Sequence, residues 1–151
     1  MESYPPLIPY LVVRDAAAAI EFYKTALGAM EIVRHQMPES TKITHAHLVI
    51  SDGSIMLSDD FPEMTGGKSS TPEALGGSPV TIHLQMADVD SFWERAVAGG
   101  VTVTMPLADQ FWGDRYGQFT DPFGHKWSVG QTKVSLSEEQ LKEAARVWFK
   151  I

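Results

Sequence analysis

The chain states one pattern twice. An apolar, β-prone run from Leu7 to Val13 meets Asp15, placed to cap the helix-forming stretch Ala16 to Leu27, and Gly28 stops it. Past the middle, Val80 to Met86 reads as a strand, Asp88 stands at a capping position, and Val89 to Ala98 carries apolar residues at helical spacing before Gly99-Gly100. Phe22 precedes Gly28 by the same interval that separates Trp93 from Gly99. Each glycine leads into another β-prone run, Met30 to Val33 and Val101 to Met105.

Strands joined by short turns follow in both halves. Ile43 to Ile50 and Ser54 to Ser58 flank Asp52-Gly53, a strong hairpin signal. Tyr116 to Thr120 and His125 to Gln131 flank Asp121-Pro122-Phe123-Gly124. The pattern predicts an α+β fold of two βαβββ modules, residues 7–60 and 80–131, within a single domain spanning 1–151. Residues 61–79 are rich in Gly, Ser, Thr and Pro and read as a connector. A sheet that is apolar on one face needs a partner layer, so the modules must pack together or exchange with a second chain. A terminal helix over 137–150 opens with the capping box Ser137-Glu138-Glu139-Gln140 and the staple pair Leu136 and Leu141. Its stripe of Leu141, Ala145 and Trp148 is expected to dock on the same subunit rather than on a dimer partner.

Composition narrows the function. The chain has no cysteine, which removes disulfides, thiolate metal sites and thiol nucleophiles. Twelve Lys and Arg against nineteen Asp and Glu leave a net charge of -7, which opposes attraction to nucleic acid or anionic lipid. The start, Met1 to Pro6, lacks the basic and apolar regions of a signal peptide, and no apolar run is long enough for a membrane span. These features point to a cytoplasmic protein with neither nucleic acid nor membrane as partner. Gly66-Gly67-Lys68-Ser69 lacks the upstream glycine of a phosphate-binding loop. Glu21, Glu31, Asp59 and Asp60 show no pairing for acid and base work.

Pro9-Tyr10-Leu11-Val12-Val13, Ala19-Ile20-Glu21-Phe22-Tyr23 and Gly28-Ala29 resemble the opening of the vicinal oxygen chelate superfamily, in its PhnB-like, glyoxalase and bleomycin-resistance branch. Ile55 to Asp60, Gly76 to Pro79, His83-Leu84 with Asp88-Val89-Asp90, Asp109 to Arg115 and Asp121 to Ser128 continue the resemblance, which covers Leu7 to Gln131. It implies curved sheets forming an open cup around a small-molecule site, often in a homodimer. The superfamily embraces metal-dependent lyases, dioxygenases and metal-free drug-sequestering proteins, so the site must decide the function.

Metal-binding members carry His, Glu or Gln on the first and last strand of each module. The matching positions here are Ile8, Met56, Thr81 and Ser128, none an anionic or imidazole ligand, so no cofactor is expected. Alternation puts Ile8, Tyr10 and Val12 on one face and Thr81, His83 and Gln85 on another, and both faces should line the cup. His45 and His47 share a strand face and read as solvent-facing or hydrogen-bonded, with ligand contact or metal binding as alternatives. His83 reads as a ligand contact, a proton-transfer group or a satisfied interior histidine. Phe111, Trp112, Asp114, Arg115 and Tyr116 suggest an aromatic lip suited to a planar, partly polar molecule, or simple packing beneath a loop. Trp127 reads as core, Asp121 and Gly124 as turn residues.

Two functions follow. One is metal-free capture of an aromatic or amphipathic small molecule, as in antibiotic resistance by sequestration, with Tyr10, Met56, His83, Trp112, Tyr116 and Ser128 lining the cup and Arg115 at its edge. The alternative is an enzyme of the same superfamily, using a divalent metal held by His45, His47 and His83, or metal-free with His83 as general base.

Overall fold

The computed structural model describes residues 4–151; Met1, Glu2 and Ser3, where the reading of the leader and of the 1–151 domain begins, lie outside the described residues. The first module comprises β1 (Tyr10–Val13), α1 (Ala16–Ala26), β2 (Met30–Gln36), β3 (Ile43–Ile50) and β4 (Gly53–Asp59). The connector holds a 3-10 turn (Pro62–Met64) and the short helix α2 (Pro72–Leu75). The second module comprises β5 (Thr81–Gln85), α3 (Val89–Gly99), β6 (Thr102–Asp109), β7 (Asp114–Thr120) and β8 (Lys126–Thr132), and α4 (Glu138–Phe149) follows.

The doubled sequence gives a doubled topology: two four-stranded mixed sheets, ordered β1-β4-β3-β2 and β5-β8-β7-β6. In each, the first and last strands run parallel and the other pairs antiparallel. The helices start where their aspartates stand. Asp15 accepts a hydrogen bond from the Ala18 amide and Asp88 from that of Ser91. The exit of the last strand supports the next free amide of each helix: Ala16 N donates to the Asp59 carboxylate and Val89 N to the side-chain Oε1 of Gln131.

Period-two alternation divides each sheet into an inner and an outer face. Leu11, Val13, Leu48 and Leu57 are buried together with Ile20 and Tyr23 of α1, while Phe119, Trp127 and Val129 are buried with Val89 and Ala96 of α3. Trp127 is wholly buried, as its reading as core predicts. The helices then join the modules. A Cβ added at Gly99 would lie 2.3 Å from that of Ala26, so glycine sets how closely α3 approaches α1. The Tyr23 hydroxyl donates to Asp121 at 2.6 Å, and His125 Nε2 lies 3.0 Å from the carbonyl oxygen of Val12.

Several boundaries differ from the sequence reading. The first strand begins at Tyr10 rather than Leu7, because Pro9 has no amide proton for the ladder and contributes only its carbonyl, to Met56 N. The first hairpin turns on Ser51 and Asp52, both at positive φ, and Gly53 already pairs with Ile50. The aromatic lip shrinks to a tight turn at 110–113, since β6 runs on to Asp109 and the Gln110 amide bonds to Asp114 O. The terminal helix forms with its capping box but buries no residue, and Trp148 stays 59% exposed. Its ring contacts fall on Phe111.

Candidate functional site

The faces of the sheets turned away from the helices carry the candidate residues in matched rungs. In the first sheet, Tyr10, Met56, His47 and Val33 stand side by side across β1, β4, β3 and β2. In the second, His83, Ser128 and Gln118 stand side by side across β5, β8 and β7. Tyr10 and His83 are equivalent, each five residues before its capping aspartate. One step along, His45 on β3 corresponds to Tyr116 on β7.

At these equivalent places the modules carry the same two ring types in reversed order. Tyr10 on β1 meets His45 on β3 with ring centroids 5.7 Å apart; His83 on β5 stacks on Tyr116 of β7 at 5.9 Å and 23°. The Tyr10 hydroxyl lies 3.0 Å from His45 Nδ1 and 3.4 Å from the Thr44 carbonyl oxygen. His35 stacks behind His45 at 6.0 Å. Burial holds the His45 pKa below its ordinary value, and the neighbouring His35 and His47 push it the same way. His47 is buried, with Nε2 3.0 Å from the Ser54 hydroxyl and the Tyr4 ring 5.0 Å away; its Nδ1 has no hydrogen-bond partner among the described residues.

His83 sits in a chain of side-chain bonds. Gln85 Nε2 donates to Thr132 Oγ1 at 3.0 Å, which turns the Gln85 carbonyl oxygen toward His83 Nε2, 2.8 Å away. That oxygen only accepts, so Nε2 carries the proton. In the neutral ring, Nδ1 then accepts from the Ser128 hydroxyl at 2.7 Å. Gly130 makes room for this layout, since a Cβ there would stand 2.8 Å from Gln85 Oε1 and 3.2 Å from His83 Cε1. With both nitrogens engaged within the chain, His83 turns its exposed ring toward a ligand. Ser128 lies buried beneath it.

Trp112 meets Tyr116 edge to face at 5.4 Å and Phe111 at 5.1 Å, which extends the His83–Tyr116 stack to the turn at 110–113. Tyr10 is 49% exposed, and His83 and Gln85 are exposed as well, so both ring pairs are open to solvent in the single chain. Where β1 approaches β5, a cavity of about 250 Å³ is lined by Tyr10, Leu11, Val80, Ile82 and His125, among others.

Arg115, expected at the edge of the cup, lies on the opposite face of β7. Alternation sets it with Gly117 and Phe119 against α3, where it bonds to Asp90 at 2.9 Å, and it also bonds to Asp109 at the end of β6 at 3.3 Å. Hydrogen bonds to Asp90 and Asp109 raise its pKa further. Gln85 stands on the face that alternation assigned to it with Thr81 and His83, whereas Gln118 and Gly130 were not singled out from the sequence, although counting in twos from Tyr116 and Ser128 reaches them.

The fit to a divalent metal can be tested on the donors themselves. Ile8, Met56, Thr81 and Ser128 supply hydrocarbon, thioether and hydroxyl, the last committed to His83. His45 and His47 each spend a ring nitrogen on a neighbour. Among the described residues no three His, Cys, Asp or Glu side chains are placed to hold one ion. This donor set does not fit a hard or borderline divalent cation.

Comparison with known proteins agrees with the fold. The profile of the Glyoxalase/Bleomycin resistance protein/Dioxygenase superfamily matches residues 7–129. An uncharacterised Mycobacterium bovis protein, Mb0911c, is 51% identical over 140 residues, 93% of this chain and 91% of its own. The crystal structure of TioX from Micromonospora sp. ML1 superposes with a TM-score of 0.64 at 25% identity, covering 88% of this chain and 100% of that one. FosX, a fosfomycin resistance protein from Listeria monocytogenes crystallised with Mn(II) and sulfate, matches with a TM-score of 0.60 at 20% identity over 95% and 98% of the two chains. The FosX likeness speaks for the fold alone.

Proposed function

The chain belongs to the Glyoxalase/Bleomycin resistance protein/Dioxygenase superfamily, and from that premise we propose that it is a metal-free binding member of the bleomycin-resistance kind, capturing a planar, amphipathic small molecule. The observation that carries this reading is the pair of solvent-open ring platforms, Tyr10 with His45 and His83 with Tyr116, on faces where Met56 and Ser128 put thioether and hydroxyl at the positions that carry ligands in metal-binding relatives. Tyr, His and Trp faces hold a flat ligand by stacking, while Gln85 and Gln118 supply directed polar groups at its edge. Each module carries half of such a slot. In this proposal a homodimer brings the platform of one module opposite that of another and encloses the ligand. The role proposed is sequestration, in the cytoplasm, of a harmful compound such as an antibiotic.

The test is titration of a flat probe, 2-naphthol, followed by tryptophan fluorescence. Tyr116→Ala and Tyr10→Ala are each expected to weaken binding about tenfold, the worth of one stacking contact of ~1 kcal/mol or slightly more. Unchanged affinity in both variants contradicts the reading. A metal-free enzyme with His83 as general base is favoured by one observation, the 2.7 Å Ser128–His83 contact backed by Gln85. Under that reading His83→Ala abolishes turnover and keeps affinity; equal loss of both makes His83 a binding contact.

A further inference from the structure

One step along the second sheet from the His83 rung, Thr81, Lys126 and Thr120 stand side by side on β5, β8 and β7. With Thr104 of β6 and Gln118 they line a cavity of about 220 Å³. Among the described residues, the Lys126 ammonium has no ion pair, and the hydroxyls of Thr81, Thr104 and Thr120 have no protein hydrogen-bond partner. The lining contains no carboxylate. Gln118 connects this place to the aromatic platform, because its amide nitrogen donates to the Tyr116 hydroxyl at 3.0 Å.

From this we infer that the cavity is an oxyanion site, taking a phosphate, sulfate or carboxylate group carried by the captured molecule. An ammonium has protons to give and no lone pair, so it excludes a cation. The three threonine hydroxyls that line the same cavity each have a proton to donate, so an acceptor-rich group engages them together with the ammonium. Attraction to anions is local here, since the chain as a whole carries -7 and repels them. The cavity is smaller than the roughly 300 Å³ at which drug-sized sites begin, which suits one head group while the attached ring lies on His83 and Tyr116. The inference deepens the binding reading, and rests on it for the ring but not for the anion.

The experiment is titration of inorganic phosphate into 15N-labelled protein at low ionic strength. Saturable shifts are expected at the amides of Thr81, Thr120 and Lys126. Lys126→Gln, an exposed change that leaves the core intact, is expected to weaken binding about tenfold or more, as loss of a charged hydrogen bond does. A second arm compares 2-naphthyl phosphate with 2-naphthol. Lys126→Gln should weaken the phosphate ester by a similar factor and leave the neutral alcohol unchanged. Absence of saturable shifts at these residues, or equal phosphate affinity in Lys126→Gln, overturns the inference. Phosphate saturation with no binding of 2-naphthol keeps the anion site and removes the aromatic reading.

Discussion

The Asp121 carboxylate is buried and accepts from four donors: the Tyr23 hydroxyl, Trp127 Nε1, and the amides of Phe123 and His125. Asp121→Ala strands two buried side-chain donors and two amides, and is expected to lower stability by about 3 kcal/mol in urea denaturation. The turn role of Asp121 was legible from Asp-Pro-Phe-Gly. Its hold on Tyr23 was not, because 98 residues separate the pair and no local pattern encodes such a meeting. His45 makes a pH prediction. Its folded pKa is depressed, chiefly by burial and then by His35 and His47, so acid protonates the unfolded chain more readily than the folded one. The stability it contributes is complete above the unfolded value, about 6.5, and falls as pH drops through the folded one. The denaturation midpoint should therefore drop between pH 7.5 and 5, with a shallower drop in His45→Gln; identical slopes refute this assignment.

Helix α3 meets α1 through the bare face of Gly99, within a helix where alanine would otherwise be preferred. Gly99→Ala should therefore destabilise, by about 1 to 2 kcal/mol, because the added methyl meets Ala26 and outweighs the gain in helix propensity. Calorimetry would register this as a lowered Tm, and a raised one would mean that the helices separate freely. The succession of elements along the chain, both helix caps and the capping box of α4 were legible because each rests on neighbours in sequence, whereas the pairing of β1 with β4 and of β5 with β8 joins distant segments. Arg115 was misplaced because reading Phe111 to Arg115 as a loop hid the start of β7 at Asp114, and with it the alternation that assigns faces. The docking of α4 was overstated for a related reason. A stripe of Leu141, Ala145 and Trp148 shows which face is apolar, and says nothing of how much surface awaits it.

The two modules repeat one topology, and their ring pairs repeat one chemistry with Tyr and His exchanged. The repeat was plain in the sequence, whereas the exchange emerged only once register set Tyr10 against Met56 and His83 against Ser128. Sedimentation is expected to find a homodimer, since each chain leaves both platforms open; a monomer that binds 2-naphthol undiminished would place the whole slot in one chain. The claim on which all of this turns is that ligand capture needs no metal. Its most direct measurement is the affinity for 2-naphthol of protein dialysed exhaustively against chelator, before and after adding Mn(II) or Zn(II). The account predicts one and the same Kd throughout; binding that vanishes on chelation and returns only with the ion would contradict it.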